Sequence, residues 1–149
     1  MKRRDFLFTA SSAAVLALPV RAAAAQMQVL KSPTCGCCSA WVTHIRDAGL
    51  VVETQDVSQE VLWAAKDKAG ITSELSSCHT GFIEGYVIEG HVPAVDIQRL
   101  LTERPDAIGL TVPGMPIGSP GMEMGGQRDA FDTLLVLRDG NTVVFASHS

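Results

Sequence analysis

The sequence has few charged residues, no excess of basic residues and no long apolar run. Its 149 residues are 46% hydrophobic and only 19% charged, which excludes the composition of a disordered chain. No apolar run reaches the roughly 20 residues that a membrane-spanning helix needs, and a formal net charge of −4 at pH 7 disfavours nucleic acid as a partner. No internal repeat is visible. We therefore expect one soluble, acidic domain.

Residues 1–25 have the order of regions that is typical of a signal peptide. The basic residues 2–4 precede a mostly apolar stretch at 6–20, and four alanines at 22–25 supply a cleavage region. Arg3 and Arg4 resemble a twin-arginine export signal, with general secretion as the alternative. No cysteine lies at the cleavage region, so a lipoprotein is not expected. We expect a periplasmic protein whose single domain covers residues 26–149.

Cleavage would make the protein more acidic. Residues 1–25 contain four basic residues and one acidic residue, so their loss changes the formal net charge from −4 to −7. An acidic surface repels nucleic acid and anionic membranes but attracts cations. We therefore expect ions or proteins as partners, with no stable membrane insertion.

Apolar periodicity and turn residues predict two groups of elements followed by a hairpin. The first group is a strand at 27–30, a helix at 39–48, a strand at 50–57 and a helix at 59–68 that Ser58 caps. The second is a pair of strands at 80–84 and 86–89, then a helix from Pro93 to Pro105. The hairpin pairs 133–137 with 142–146 around Asp139–Gly140. This order predicts an α/β fold with a thioredoxin-like mixed sheet and flanking helices.

A long loop is predicted from Gly109 to Gly126, because nine of these eighteen residues are glycine or proline. Loops of this length in a compact domain are usually functional or disordered. Met115, Met122 and Met124 lie in it with no obvious core to fill, so we expect the loop to cover the cysteine site and Met115 or Met122 to offer sulfur to a metal. The alternative is a surface excursion or a flap over a sheet edge.

Four cysteines require a chemical explanation, since a chain of this size can bury a core without covalent cross-links. Cys35 and Cys38 have the C-x-x-C spacing of redox proteins at a helix N-terminus, where the helix dipole stabilises a thiolate. Cys37, between them, complicates a simple dithiol switch. Three thiolates within four residues favour a soft metal. Their crowding suits several Cu(I) ions that share bridging sulfurs better than it suits one tetrahedral zinc ion.

Cys78 is predicted to complete a four-sulfur site, because its loop should reach the N-terminus of the first helix. Three alternatives stay open: a buried free thiol, a Cys37–Cys78 disulfide, and purely structural pairing of all four cysteines in an oxidising compartment. His79 is a further candidate ligand, although a histidine that begins a strand is more often a surface or capping residue. His91 is expected near the site as a supporting residue, and His148 at a frayed C-terminus.

Four motifs in order resemble the metal-binding family that includes the CopG-type copper-resistance proteins. They are KSPTCGCC at 31–38, SCHT at 77–80, YVIEGHVP at 86–93 and the Gly/Pro/Met segment at 112–123. The resemblance covers about residues 27–147. It implies a periplasmic, thioredoxin-like protein that binds copper through its cysteines and has a proposed redox role, with copper ions and other copper-handling proteins as partners.

Carried over by position, Cys35, Cys37, Cys38 and Cys78 match the cysteine ligands of that family. The leading hypothesis is a copper-homeostasis protein that holds Cu(I) at these four residues. The alternative is a thiol–disulfide or copper oxidoreductase in which Cys35 attacks and Cys38 resolves. The sequence leaves open whether the protein is an enzyme.

Overall fold

The fold is that of a computed structural model, which describes residues 25–149. The predicted signal peptide, residues 1–25, lies outside the described residues except for Ala25. Within 25–149, no helix is long and apolar enough to cross a membrane.

The described chain is a mixed α/β structure with one seven-stranded sheet and three α-helices. The strands are β1 (Gln26–Lys31), β2 (Val51–Asp56), β3 (His79–Ile83), β4 (Tyr86–Gly90), β5 (Ala107–Val112), β6 (Phe131–Leu137) and β7 (Thr142–His148). The helices are α1 (Gly36–Asp47), α2 (Gln59–Lys68) and α3 (Ala94–Glu103), with a short 3-10 turn at Ser73–Leu75. The strand order is β2-β1-β3-β4-β5-β6-β7. The pairs β1–β2 and β4–β5 are parallel, and the other neighbours are antiparallel.

The predicted mixed sheet, flanking helices and C-terminal hairpin are present, but β5 was missed. The prediction placed Gly109 at the start of a loop, whereas it lies inside β5 opposite Val87 of β4. A Cβ at Gly109 would lie 1.8 Å from the carbonyl oxygen of Val87. The close approach of the two backbones therefore requires glycine at this position. Because residues up to Val112 belong to β5, the loop spans residues 113–130 and not 109–126.

The three helices have apolar faces that pack on the sheet. Ser58 Oγ accepts the N–H of Val61 at 3.3 Å, so the predicted cap of α2 is present. Two apolar residues of these helices point to solvent: Val61 of α2 is 50% exposed and Val95 of α3 is 64% exposed. The buried face of α2 is instead formed by Leu62 and Lys66, one turn apart.

The sheet separates α2 from the other two helices. Ile88 of β4 belongs to the core that contains Trp41 of α1 and Ile97 of α3. The next residue, Glu89, contacts Lys66 of α2. Because neighbouring residues of a strand point to opposite faces, α1 and α3 cover one face and α2 covers the other.

Candidate metal site

The cysteine motif forms the beginning of α1. Cys35 is the N-cap residue, and its Sγ accepts the N–H of Cys38 at 3.3 Å. Cys37 and Cys38 lie in the first turn of the helix. Antiparallel pairing aligns Lys31 at the end of β1 with His79 at the start of β3. This register brings Cys78, which directly precedes β3, beside the N-terminus of α1.

The four cysteine sulfurs form one cluster, in which all ligand atoms lie within 4.8 Å of one another. Cys35 and Cys38 are joined by a disulfide, while Cys37 and Cys78 remain thiols. Cys37 Sγ lies 3.5 Å from Cys35 Sγ and 3.9 Å from Cys78 Sγ. The predicted alternative of a Cys37–Cys78 disulfide is not what the structure contains. When the Cys35–Cys38 disulfide is reduced, this arrangement offers four sulfurs to a soft metal.

Two histidines extend the cluster on the Cys78 side. Cys78 Sγ lies 3.0 Å from His91 Nε2 and 3.4 Å from His79 Nδ1, and these three residues form a second group with metal-ligand spacing. His91 Nδ1 lies 2.8 Å from the carbonyl oxygen of Pro120. Since a carbonyl can only accept, Nδ1 carries the proton and the lone pair of Nε2 faces Cys78.

His79 is fully buried rather than at the surface as most strand-starting histidines are. Its ring packs against the indole of Trp41, with 4.3 Å between ring centroids, and against His91 at 5.1 Å. Its Nε2 has no hydrogen-bond partner within residues 25–149. A buried unpaired nitrogen is costly in a folded protein, and Nδ1 is the nitrogen of the same ring that lies near Cys78.

Burial favours the neutral forms of the groups around Cys78. Burial, and secondarily the neighbouring Cys37 thiol, raises the pKa of Cys78 to about 12. Burial also lowers the pKa of His79 well below its usual value, with smaller effects from His91 and Lys66. The pKa of His91 is lowered as well, again mainly by burial. A cationic metal would stabilise the thiolate and the neutral imidazoles that ligation requires.

The loop at 113–130 lies against the N-terminus of α1 and the segment before Cys78. At Gly121, where φ is +87°, a Cβ would lie 2.7 Å from the carbonyl oxygen of Cys37 and 2.8 Å from the amide nitrogen of Trp41. The Gly114 N–H donates to the carbonyl of Ser76 at 3.1 Å. Together with the Pro120–His91 contact, these interactions hold the loop next to the cysteine cluster.

The loop methionines differ in exposure. Met115 is 52% exposed and Met124 58% exposed, while Met122 is half-buried. Met122 belongs to a tight turn in which its N–H donates to the carbonyl of Ser119 and its carbonyl accepts the N–H of Gly118.

The C-terminal histidine is ordered, which corrects the prediction of a frayed end. His148 is the last residue of β7, and its Nε2 lies 2.9 Å from Asp96 Oδ2 and 3.1 Å from Thr133 Oγ1. Its ring stacks on Phe131 with 4.7 Å between centroids. These contacts tie the end of the chain to α3 and β6, where no sequence pattern indicated a partner.

A family model and two solved structures are similar to this chain. Residues 75–122 match a family described as a protein of unknown function, DUF411. A solved structure described as copper resistance protein CopG, form 2, is 41% identical and covers 85% of this chain and all of its own, with a TM-score of 0.79. Form 1 of the CopG protein is also 41% identical, covering 83% of this chain and 96% of its own, with a TM-score of 0.77.

No curated protein matches the sequence. The two CopG structures nevertheless each cover more than four fifths of this chain, at an identity that is well above the level at which only a fold is shared. The chain therefore belongs to the CopG copper-resistance family.

Proposed function

We propose that this protein binds Cu(I) for copper homeostasis and resistance, using Cys35, Cys37, Cys38 and Cys78. The observation that carries the proposal is the single cluster of four sulfurs within 4.8 Å of one another. Thiolate ligands select Cu(I) among the available metals, and crowded thiolates suit low-coordinate ions that share sulfurs. The copper-resistance name of the related structures supports copper over zinc.

The histidines give the proposed site a second type of ligand. Cys78 belongs to both metal-ligand groups, so its sulfur would be a ligand for copper held by either group, and His91 and His79 would supply nitrogen donors. The Pro120 carbonyl accepts the Nδ1–H of His91 and so orients the ring, as carbonyl and carboxylate acceptors do for histidine ligands in metal sites. We include Met115 and Met122 only as ligands for incoming copper, because their loop lies beside the cluster.

The Cys35–Cys38 disulfide favours a second candidate function, a thiol–disulfide or copper oxidoreductase. Reduction of this disulfide consumes two electrons and two protons and yields two thiols. Cys35 is partly exposed whereas Cys38 is fully buried, so an external thiolate would attack Cys35 and Cys38 would be the leaving thiolate. In the leading proposal the same reduction simply frees two copper ligands.

Metal selectivity tests the leading proposal. Fully reduced protein, residues 26–149, is expected to retain Cu(I) against a competing Cu(I) chelator even in the presence of excess Zn(II), because soft thiolates prefer the softer ion. Protein with the Cys35–Cys38 disulfide intact is the control and should bind Cu(I) more weakly. Metal content and the protection of all four thiols from alkylation are the measurements. Equal retention of zinc in a four-coordinate site would contradict the proposal.

The same competition tests the methionines. Met115→Leu together with Met122→Leu keeps both side chains apolar and removes only the thioether sulfurs. If these sulfurs assist copper, the rate of uptake falls while stoichiometry is retained. An unchanged rate and affinity would leave the loop as a cover alone.

We further propose that the protein is exported to the periplasm after cleavage near residue 25, and that β1 to β4 with α1 and α3 form a thioredoxin-like core. The parallel β1–α1–β2 unit followed by the antiparallel pair β3–β4 and then α3 supports this core. The copper-resistance relatives and the basic, apolar and small-residue order of residues 1–25 support export.

Replacing Arg3 and Arg4 together by lysine is expected to block export, because the twin-arginine pathway recognises the arginine pair and not its charge alone. Precursor should then accumulate in the cytoplasm, as measured by immunoblotting of cell fractions. The control is a variant in which only Lys2 is replaced by Arg, which should be processed normally. Normal processing of the double variant in cells that lack the twin-arginine translocase would assign the protein to general secretion.

A further inference from the structure

A buried ion pair joins α2 to β4 on the α2 face of the sheet. The side chains of Lys66 and Glu89 are 1% and 0% exposed, and Lys66 Nζ donates to Glu89 Oε1. Thr80 Oγ1 accepts from Lys66 Nζ at 2.9 Å and donates to Glu89 Oε2 at 2.7 Å. Burying two charges is costly, and well-packed apolar residues of similar volume are often as stable or more so. The pair therefore calls for a role beyond stability.

Glu89 also holds the backbone next to Cys78. The N–H of Ser77 donates to Glu89 Oε1 at 2.7 Å, and an ionised acceptor makes such a bond shorter and stronger than a neutral one. Residues 76–78 have no regular secondary structure of their own. We call Glu89, Lys66, Thr80 and the Ser77 N–H the Glu89 network. It replaces the ladder hydrogen bonds that this segment lacks.

The segment has little space in which to shift. At Gly90, where φ is +72°, a Cβ would lie 2.5 Å from Ser77 Cβ, so Ser77 packs directly on the backbone at the end of β4. On its other side, Ser77 Oγ donates to the carbonyl of Gly114. Cys78 Sγ consequently lies 3.9 Å from Cys37 Sγ and 3.0 Å from His91 Nε2. Losing the Glu89 contact would release the backbone that fixes these distances.

We propose that Glu89, supported by Lys66 and Thr80, is a positioning residue of the metal site, which acts through the Ser77 N–H to hold Cys78 opposite Cys37. Glu89 and Lys66 lie on the α2 face of the sheet, and their hydrogen bonds are to each other, to Thr80 and to the Ser77 N–H. Their effect is on where the Cys78 sulfur lies. The inference rests on the proposed copper site for its purpose, but its first test uses no copper.

The first test measures the effective concentration of the Cys37 and Cys78 thiols relative to each other. In a Cys35→Ser/Cys38→Ser background, Cys37 and Cys78 form a disulfide by reducing one glutathione disulfide to two glutathione molecules. The equilibrium in a glutathione buffer gives the effective concentration of the pair. Two variants are compared: Lys66→Met/Glu89→Gln, which keeps a carbonyl oxygen for the Ser77 N–H, and Lys66→Met/Glu89→Leu, which removes it. Both remove the buried charges.

We expect the leucine variant to lower the effective concentration by at least about tenfold and the glutamine variant to stay near the parent value. A general loss of stability would lower the effective concentration in both variants, and an unimportant network would lower it in neither. Each of these results overturns the proposal. If near-ultraviolet circular dichroism shows that the leucine variant does not fold, the single variants Glu89→Asp and Glu89→Gln are compared instead. The aspartate keeps the charge but is one methylene too short, so it should lower the effective concentration where Glu89→Gln does not.

A second test measures copper binding by the same variants, and it shows whether the role of Glu89 and the proposed copper-binding function hold independently. In the four-cysteine protein, the leucine variant should lose copper affinity by about tenfold or more relative to the glutamine variant, as other outer-shell changes do in metal sites. If no variant and no parent protein binds Cu(I), the proposed function fails while the thiol-pair result still decides the role of Glu89. If copper binds equally to both variants despite different thiol-pair values, Glu89 does not position a copper ligand.

Discussion

Replacing Cys78 by serine is expected to lower the Cu(I) affinity of the reduced protein by about 100-fold or more, which exceeds the usual cost of disturbing only outer-shell groups. Among the described residues, Cys78 is the member that the sulfur cluster and the Cys78–His79–His91 group share. A serine hydroxyl is a hard oxygen donor and a poor partner for Cu(I). Copper stoichiometry should fall together with affinity, measured by chelator competition on anaerobic protein.

Ser76→Ala is the matched control for this substitution. Ser76 lies two residues before Cys78, and its hydroxyl makes only one long hydrogen bond, of 3.4 Å, to the carbonyl of Ser77. We expect this variant to bind copper as the parent does. If Cys78→Ser also binds with unchanged stoichiometry and affinity, Cys78 is not a ligand and the four-cysteine site is wrong.

Gly109→Ala is expected to destabilise the protein by more than about 4 kcal/mol, a size that single substitutions reach only through severe clashes or buried defects. The added Cβ would meet the carbonyl oxygen, carbonyl carbon and amide nitrogen of Val87, the nearest at 1.8 Å. These are backbone atoms in the centre of the sheet, so no side chain can rotate away. The loss should be comparable with the whole stability of a typical domain.

The control for this prediction is Gly36→Ala. Gly36 is the first residue of α1, and a Cβ there meets nothing within 4 Å. Alanine is the better helix former, so we expect a melting temperature at or slightly above that of the parent. Thermal unfolding by circular dichroism of the copper-free proteins measures both effects. A Gly109→Ala protein that unfolds near the parent temperature would contradict the parallel pairing of β4 with β5.

Strong local signals in the sequence were enough to predict most elements of the fold. The Ser58 cap and the Asp139–Gly140 turn act within a few residues, so their helix and hairpin were predicted with nearly the observed bounds. β5 was missed because its pairing partner lies across a helix and its glycine reads as a breaker. A close approach between two backbones leaves no local trace in a sequence.

The candidate site shows the same division. The crowding of Cys35, Cys37 and Cys38 is visible in the sequence. The predicted order of strands and helices was enough to expect Cys78 near them. The 3.0 Å approach of His91 to Cys78 depends on how the 113–130 loop supplies the Pro120 carbonyl. The Lys66–Glu89 pair was missed because a lysine or a glutamate is rarely fully buried, so neither residue is expected in a core from its type alone.

The hydrogen bond from His91 to the carbonyl of Pro120 also bears on when copper can be captured. The groups around Cys78 come from three stretches of chain, near residues 35–38, 78–91 and 120, and they meet only after β1, β3, β4 and β5 have paired. Contacts between distant residues form late because loop closure must come first. A nascent chain that has released only the CGCC segment thus holds three thiols without their partners, and the full donor set exists only once folding is complete. Copper loading of the proposed site would therefore report that the fold is complete and would not nucleate folding.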